Sequence, residues 1–200
     1  FIEFIISCAP QGETILFVRQ KPIGDGLQFH ADGAIKATWP AFLPSHKRKA
    51  GQAWYVNTAS FIIDRFKDGH VSASAANCEY VWAMVLDDVG TDKVPNTCPL
   101  PPTWKMETSP GCFQWVLVFK EQPTKDEYSA AIKALADAGY TDPGAINAVR
   151  NFRIPGSVNL KPGRNNFESV LAEFDHTREY TLEELCSAMG VTPGPVESVY

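Results

Sequence analysis

The tightest constraint on the fold is an apolar run at residues 80–86 that stops at two adjacent acids, within Val85-Leu86-Asp87-Asp88-Val89-Gly90-Thr91. The run has strand length and no polar alternation, so it predicts a central strand covered on both faces. Burying a carboxylate costs free energy unless a cation, a donor or water meets it. Strand ends are also where a rigid scaffold presents acids to a ligand. Two readings of Asp87-Asp88 follow: a site for a divalent cation, or a solvated turn, since Asp and Gly are ordinary turn residues. The rest of the chain has to separate them.

Several segments predict further strands: residues 14–19, 27–30 and 34–39, with Asp32-Gly33 between the last two as a hairpin signal. Trp54-Tyr55-Val56 predicts a short strand. Phe61, Ile62 and Phe66 recur at helical spacing, so residues 58–66 predict a helix, capped by Asn57 or Thr58 and stopped by Gly69. Residues 104–108 and 113–119 predict two strands joined at Ser109-Pro110-Gly111-Cys112, where Pro and Gly supply turn geometry. Thr124-Lys-Asp-Glu127 is a capping box opening a helix with Tyr128, Ile132 and Leu135 on its apolar face and Gly139 as its stop. Residues 167–174 predict a last strand. Thr181-Leu-Glu-Glu184 opens a second capped helix ending near Gly190, and residues 192–200 read as a linker.

At 200 residues with 44% hydrophobic content, the chain is one sizeable domain, or a domain with a small appendage. The division expected is 1–175 for the main domain and 176–200 for a short helical extension and linker. No apolar run approaches the roughly 18 residues of a membrane span, so no membrane partner is expected. The apolar start at residues 1–6 lacks the basic flank and cleavage site of a signal peptide. Without an initiator Met, the chain reads as a segment of something longer. Five cysteines, an odd number with no Cys-x-x-Cys pair, argue against a disulfide framework or zinc ribbon and favour a reducing, intracellular setting.

The net charge of −5 is unlike a nucleic-acid binder, but its distribution is uneven. Residues 33–63 contain no acid and carry Lys36, Lys47, Arg48 and Lys49. Residues 143–167 contain no acid and carry Arg150, Arg153, Lys161 and Arg164. Two basic segments on an acidic chain can form a phosphate-tracking surface. The bland alternative is solvated lysines and arginines.

Four pieces carry candidate chemistry: Asp87-Asp88, Ser109-Pro-Gly-Cys-Phe-Gln114, Asp142, and Arg153-Ile-Pro-Gly-Ser-Val-Asn159-Leu-Lys161. Metal-assisted phosphoryl transfer needs carboxylates around Mg²⁺ or Mn²⁺, and cations and donors on the triphosphate. Asp142-Pro-Gly also reads as a turn. His30, His46, His70 and His176 are dispersed, with neither His-x-His nor His-Glu-x-x-His, and no P-loop exists. Cys112 reads as a buried thiol. Trp54, Tyr55, Trp104 and Trp115 read as core before base-stacking platforms.

Taken together and in order, these motifs resemble the archaeo-eukaryotic primase superfamily, in its plasmid and phage RepB-like primase and primase-polymerase branch. The resemblance spans residues 54–161. It implies an α+β fold, a mixed or antiparallel sheet core like an RNA-recognition motif with flanking helices, and primer synthesis on single-stranded DNA from nucleoside triphosphates with Mg²⁺ or Mn²⁺. It assigns Asp87, Asp88 and Asp142 as catalytic metal ligands. Ser109, Gln114, Arg153, Asn159 and Lys161 would bind nucleotide. The basic residues Lys47, Arg48, Lys49, Arg150 and Arg164 would contact nucleic acid. It also implies a C-terminal helicase partner domain in the full chain. The sequence departs from the pattern twice. Gln114 stands where many members carry His. The two acids are adjacent instead of two apart, so in a regular strand they would face opposite sides; both reach one ion only if the pleat breaks at the strand end. A non-catalytic module of the same fold that binds single-stranded nucleic acid, and a purely structural domain, remain the other readings.

Overall fold

The computed structural model describes residues 1–10, 13–23, 26–30, 53–62 and 74–195. The expected Asp32-Gly33 hairpin, the strand at 34–39 and the basic cluster Lys47, Arg48 and Lys49 lie outside them.

Among the described residues, two largely antiparallel five-stranded sheets face each other. The first has the order β2 (Gly26–His30), β1 (Glu13–Ile23), β3 (Ala53–Ile62), β4 (Cys78–Val81), with β8 (Asn151–Arg153) also on β3. The second has the order β10 (Glu179–Tyr180), β7 (Cys112–Phe119), β6 (Trp104–Ser109), β9 (Val170–Phe174), with β5 (Ala83–Val89) also on β7. All pairings are antiparallel except β10 on β7. Among the described residues, helices α1 (Ile2–Ser7), α2 (Lys125–Asp137) and α3 (Leu182–Ala188) join the sheets in a mixed α+β architecture. No helix among the described residues is long and apolar enough to cross a membrane.

Strand alternation divides the core. Met84 and Leu86 of β5 and Trp115, Leu117 and Phe119 of β7 face Tyr128, Ile132 and Leu135 of α2 and Leu185 of α3. Ala83 and Val85, with Val116 and Val118, face Phe17, Trp54, Val56 and Phe152 of the first sheet. The second sheet is therefore covered on both faces, as the uninterrupted apolar run required. Both capping boxes form as expected, at Thr124 with Glu127 and at Thr181 with Glu184. All five cysteines are free. Trp54, Tyr55, Trp104 and Trp115 are buried in the core.

Residues 80–86 are not one strand. The chain ends β4 in the first sheet, passes through Trp82, and enters β5 in the second. Trp82 makes the crossing: its backbone N–H donates to Thr58 of β3 at 3.1 Å, and its carbonyl accepts from Phe119 of β7 at 3.0 Å. Its indole donates to the Asn57 carbonyl at 2.8 Å and stacks on Trp104 at 5.9 Å. A uniform apolar run carries no mark of a sheet change, because both strands are buried.

The helix expected at 58–66 is corrected up to residue 62. β3 runs through Ile62, with residues 53–61 all buried and paired on both sides. Three apolar residues at helical spacing do not outweigh a ladder on each flank. Residues 63–66 lie outside the described residues. After residue 175, the segment expected as an extension supplies β10 to the second sheet and Leu185, Cys186 and Met189 to the helix-side core.

Candidate active site

The strand β5 does not end as a regular strand. Its register on β7 slips between Leu86 and Val89, and Asp88 has φ 61°, a left-handed conformation uncommon for a residue other than Gly. Leu86 and Val89 consequently lie in the same helix-side core. In an unbroken pleat Leu86 would share its face with Asp88 instead. The bulge removes both acids from that face. Asp87 then meets Gln114, whose side-chain N–H donates to its Oδ1 at 3.0 Å. Asp88 meets Cys112, whose thiol lies 3.4 Å from its Oδ1. Cys112 and Gln114 are two apart on β7 and share its face toward the first sheet. The adjacent acids are thus brought to one side, which is what a pleat break had to do. Gly90 follows with φ 90°, and a Cβ there would stand 2.8 Å from the Gly111 carbonyl. Only Gly lets the β5 end approach the β6–β7 turn this closely.

Asp87 is fully engaged. Its Oδ1 also accepts the Asp88 backbone N–H at 3.1 Å, and its Oδ2 is ion-paired with Arg150 Nη2. The backbone is fixed too: Asp87 N–H donates to Thr141 Oγ1 at 2.9 Å, and Asp142 N–H donates to the Asp87 carbonyl at 3.3 Å. Thr91 Oγ1 donates to the Asp88 carbonyl at 2.7 Å, closing the turn.

Asp142 lies beside Asp87 through its backbone and caps a 3₁₀ turn at Pro143–Ala145. Among the described residues, no three His, Cys, Asp or Glu side chains are grouped to hold a metal ion. The structure brings Asp87 and Asp88 together at the bulge and ties Asp142 to Asp87 through its backbone. Two hard oxygen donors still fit Mg²⁺ or Mn²⁺, because such ions commonly use one or two carboxylates and take the remaining ligands from water and substrate phosphates.

Arg153, expected on a triphosphate, is turned into the protein instead. Only 5% exposed, it donates to Ser157 Oγ at 3.3 Å, the Val158 carbonyl at 2.8 Å and Asn159 Oδ1 at 2.9 Å. Its guanidinium lies over the Tyr55 ring at 5.0 Å. Burial lowers its pKa, and Tyr55 and Asp87 oppose that shift. Asn159 in turn donates to the Thr108 carbonyl at 2.8 Å. The Arg-Ile-Pro-Gly segment is thereby locked against β6, and its buried cation positions backbone. Arg150, expected on nucleic acid, is the counter-ion of Asp87.

The exposed cations are further along. Residues 156–159 and 167–169 pair as a short hairpin, through Gly156 N–H to Ser169 at 2.8 Å and Asn159 N–H to Phe167 at 2.8 Å. Lys161 and Arg164 sit on its exposed tip. Arg164 Nη1 donates to Ser109 Oγ at 3.2 Å, which carries the tip to the Ser-Pro-Gly turn. Gln114, Ser109 and Asn159 are buried, so their side chains define the site from within. Burial raises the Cys112 pKa, and the neighbouring Asp88 adds to that shift, consistent with a structural thiol. Sequence reading missed Thr141 and Thr58, which hold Asp87 and Arg150 from distant segments. A lone Thr carries no signal of such a role.

The family model for the RepB DNA-primase N-terminal domain matches residues 42–192, more than half of the chain. The chain belongs to this family. RepB-type primase domains and their relatives also share its fold. The AEP domain of the cyanophage S-2L primase-polymerase aligns with a TM-score of 0.63 at 11% identity, covering 94% of this chain and 95% of that one. The primase RepB′ aligns with a TM-score of 0.58 at 14% identity, over 94% of this chain and 60% of that one. The catalytic domain of RepB′ in complex with initiator DNA aligns with a TM-score of 0.57 at 13% identity, over 94% and 91%. No curated protein matches the sequence.

Proposed function

We propose that this chain is a primase or primase-polymerase domain, joining nucleotides on a single-stranded DNA template by divalent-metal-dependent nucleotidyl transfer. The observation that carries the reading is the bulge at Asp88, which puts two adjacent carboxylates on one side of the sheet in a member of the RepB primase family. The RepB′ relative solved with initiator DNA supports a DNA partner.

In this reading Asp87 and Asp88 hold Mg²⁺ or Mn²⁺. The ion supplies Lewis acidity, lowering the charge barrier between the attacking hydroxyl and the α-phosphate. Gln114 fixes the orientation of Asp87 and keeps one of its oxygens from rotating away. Ser109 offers a hydroxyl donor to the triphosphate, and Arg164 and Lys161 on the hairpin above it offer charge to the phosphates of the DNA strand. Arg153 and Asn159 keep that hairpin in place, and the buried sheet interface beneath gives the carboxylates a rigid base.

The test is primer synthesis by purified protein on single-stranded DNA with labelled nucleotides and Mg²⁺ or Mn²⁺, alongside Asp87→Ala. Template-dependent product that disappears in the folded variant is expected. Product retained in Asp87→Ala removes the metal assignment. The engagement of Asp87 by Arg150, and the lack of a third acid in the group among the described residues, favour a second reading: a module that binds single-stranded DNA without synthesis. Salt-dependent DNA binding by a wild-type protein that makes no product under any metal would select it.

A further inference from the structure

We infer that Arg150 is a counter-ion switch: it neutralises Asp87 while no cation is there, and moves to a phosphate of the incoming nucleotide when a divalent ion takes its place. The inference rests on the reading of Asp87 as a metal ligand.

The two carboxylate oxygens of Asp87 are not equivalent. Oδ1 is held by the Gln114 side chain and the Asp88 backbone, both neutral parts of the same sheet. Oδ2 is held by Arg150, a charged group from another segment. A cation approaching Asp87 therefore competes with the guanidinium for Oδ2, and it does so without disturbing Oδ1.

Arg150 is built to leave without unfolding anything. Its backbone is pinned, with the Thr58 N–H donating to its carbonyl at 2.8 Å and its own N–H donating to Thr58 Oγ1 at 3.1 Å. Beyond Asp87, its side chain makes one further hydrogen bond among the described residues, from Nη1 to the Gly144 carbonyl at 2.9 Å. Its Nε–H is buried without a partner among the described residues. A guanidinium with a buried donor unmade is not in its best site, and a phosphate offers the acceptors it lacks. The side chains of Arg150 and Asp87 are 21% and 15% exposed, so the pair is partly open to solvent.

Charge is conserved by the exchange. The Asp87–Arg150 pair is neutral. When a divalent ion arrives with the polyanionic triphosphate, the ion takes the carboxylate and the freed guanidinium meets phosphate oxygens, for which its planar fork is suited. Metal and nucleotide then enter together, because each removes the penalty of the other. A role in contacting the DNA backbone gives no such coupling.

The test measures Mn²⁺ binding by the EPR signal of the free ion, with and without a non-hydrolysable nucleoside triphosphate, on wild type, Arg150→Gln and Arg150→Lys. Arg150→Gln is expected to bind Mn²⁺ alone about tenfold more tightly, and the nucleotide in the presence of Mn²⁺ about tenfold more weakly. Arg150→Lys keeps the charge on Asp87, so Mn²⁺ alone should bind as in wild type while nucleotide binding stays weaker. Opposite signs in Arg150→Gln are the signature. Mn²⁺ affinity unchanged or reduced in Arg150→Gln overturns the switch, and leaves the metal reading standing if Asp87→Asn loses the ion. Unchanged nucleotide affinity overturns it as well. No Mn²⁺ binding by the wild type, with or without nucleotide, overturns the metal reading and the switch together.

Discussion

Gln114 and Arg153 meet across the gap between the two sheets: the Gln114 side-chain carbonyl accepts the Arg153 backbone N–H at 3.1 Å. The other end of the same amide donates to Asp87 at 3.0 Å. A neutral amide can accept on one side and donate to a carboxylate on the other. Gln114→Ala leaves a buried N–H unsatisfied, and Gln114→Glu sets a second carboxylate against Asp87. Each is expected to cost about 1–3 kcal/mol, the range for an orphaned buried polar group. At roughly 2–4 °C per kcal/mol for a chain of this size, thermal unfolding resolves it. A wild-type Tm in Gln114→Glu would show that the amide is not the link between the sheets.

Arg153 is expected to act on stability before it acts on catalysis. Truncation to Ala strands the Val158 carbonyl and the Asn159 side chain and removes the stack on Tyr55. The cost expected is about 2–4 kcal/mol, from several hydrogen bonds of a charged buried donor. Arg153→Lys should recover only part of it, because an ammonium lacks the fork that reaches Ser157, Val158 and Asn159 together. Denaturant unfolding of both variants checks the order wild type, Lys, Ala. An Arg153→Ala protein of wild-type stability with lost nucleotide binding would return Arg153 to the triphosphate.

Much of the sheet and helix framework was legible in the sequence, and the reasons are local. Thr124 and Glu127 announce a helix start through a capping box, and Pro110-Gly111 announces a tight turn; each signal is complete within four residues. Trp82 was not legible as a crossing point, because its partners Thr58 and Phe119 are distant in sequence and both strands are buried. Asp88 was legible only as a condition: adjacency of the acids required a broken pleat, and the left-handed φ supplies it. Arg150 and Arg153 were legible as cations in an acid-free window, but not as ones paired with Asp87 and Asn159. Charge is local in sequence, and pairing is not. Asp142 follows the same rule in reverse: its order in the chain suited a third ligand, while its place in the fold is set by a backbone contact.

Cys78 predicts a pH dependence. Burial pushes its thiol up to about 11, against an opposing effect from Lys125. The fold keeps a proton that the unfolded chain releases nearer pH 9, so the native state binds more protons between these values. Stability is full below about pH 9 and falls as pH rises toward 11. Urea unfolding from pH 8 to pH 11 should show the decline, and Cys78→Ala should make it shallower. Parallel profiles for the two proteins would remove Cys78 as a cause.

Lys161 and Arg164 are expected to govern the salt dependence of DNA binding. Both stand on the exposed hairpin tip, and neither belongs to the core. Each Ala substitution should weaken binding to single-stranded DNA across sequences and reduce the log–log salt slope by about 0.7, the contribution of one phosphate contact on a single strand. Fluorescence anisotropy over a salt series measures the slope directly. A slope unchanged in the double variant would move the DNA path away from this hairpin.

Asp88→Gly separates stability from function. Asp88 holds φ 61° at the bulge, a conformation that costs a non-glycine residue about 1 kcal/mol or more. Its carboxylate contributes little to the fold, because the contact made through it is the Cys112 thiol at 3.4 Å, a weak donor. Thr91 holds the turn through the Asp88 backbone carbonyl, which Gly retains. Glycine adopts this φ freely, although it adds entropy to the unfolded chain. The variant should therefore unfold at or above the wild-type temperature, by up to about 3 °C for 1 kcal/mol gained. It should also lose template-dependent synthesis and bind Mn²⁺ less tightly, having given up one of two carboxylate ligands. Asp88→Asn keeps the side chain at nearly constant size and tolerates the left-handed region, so it should match wild type in Tm while sharing the loss of metal. A stable Asp88→Gly protein that still synthesises primers would mean that the strained acid is only a turn residue, and that Asp87 works without it.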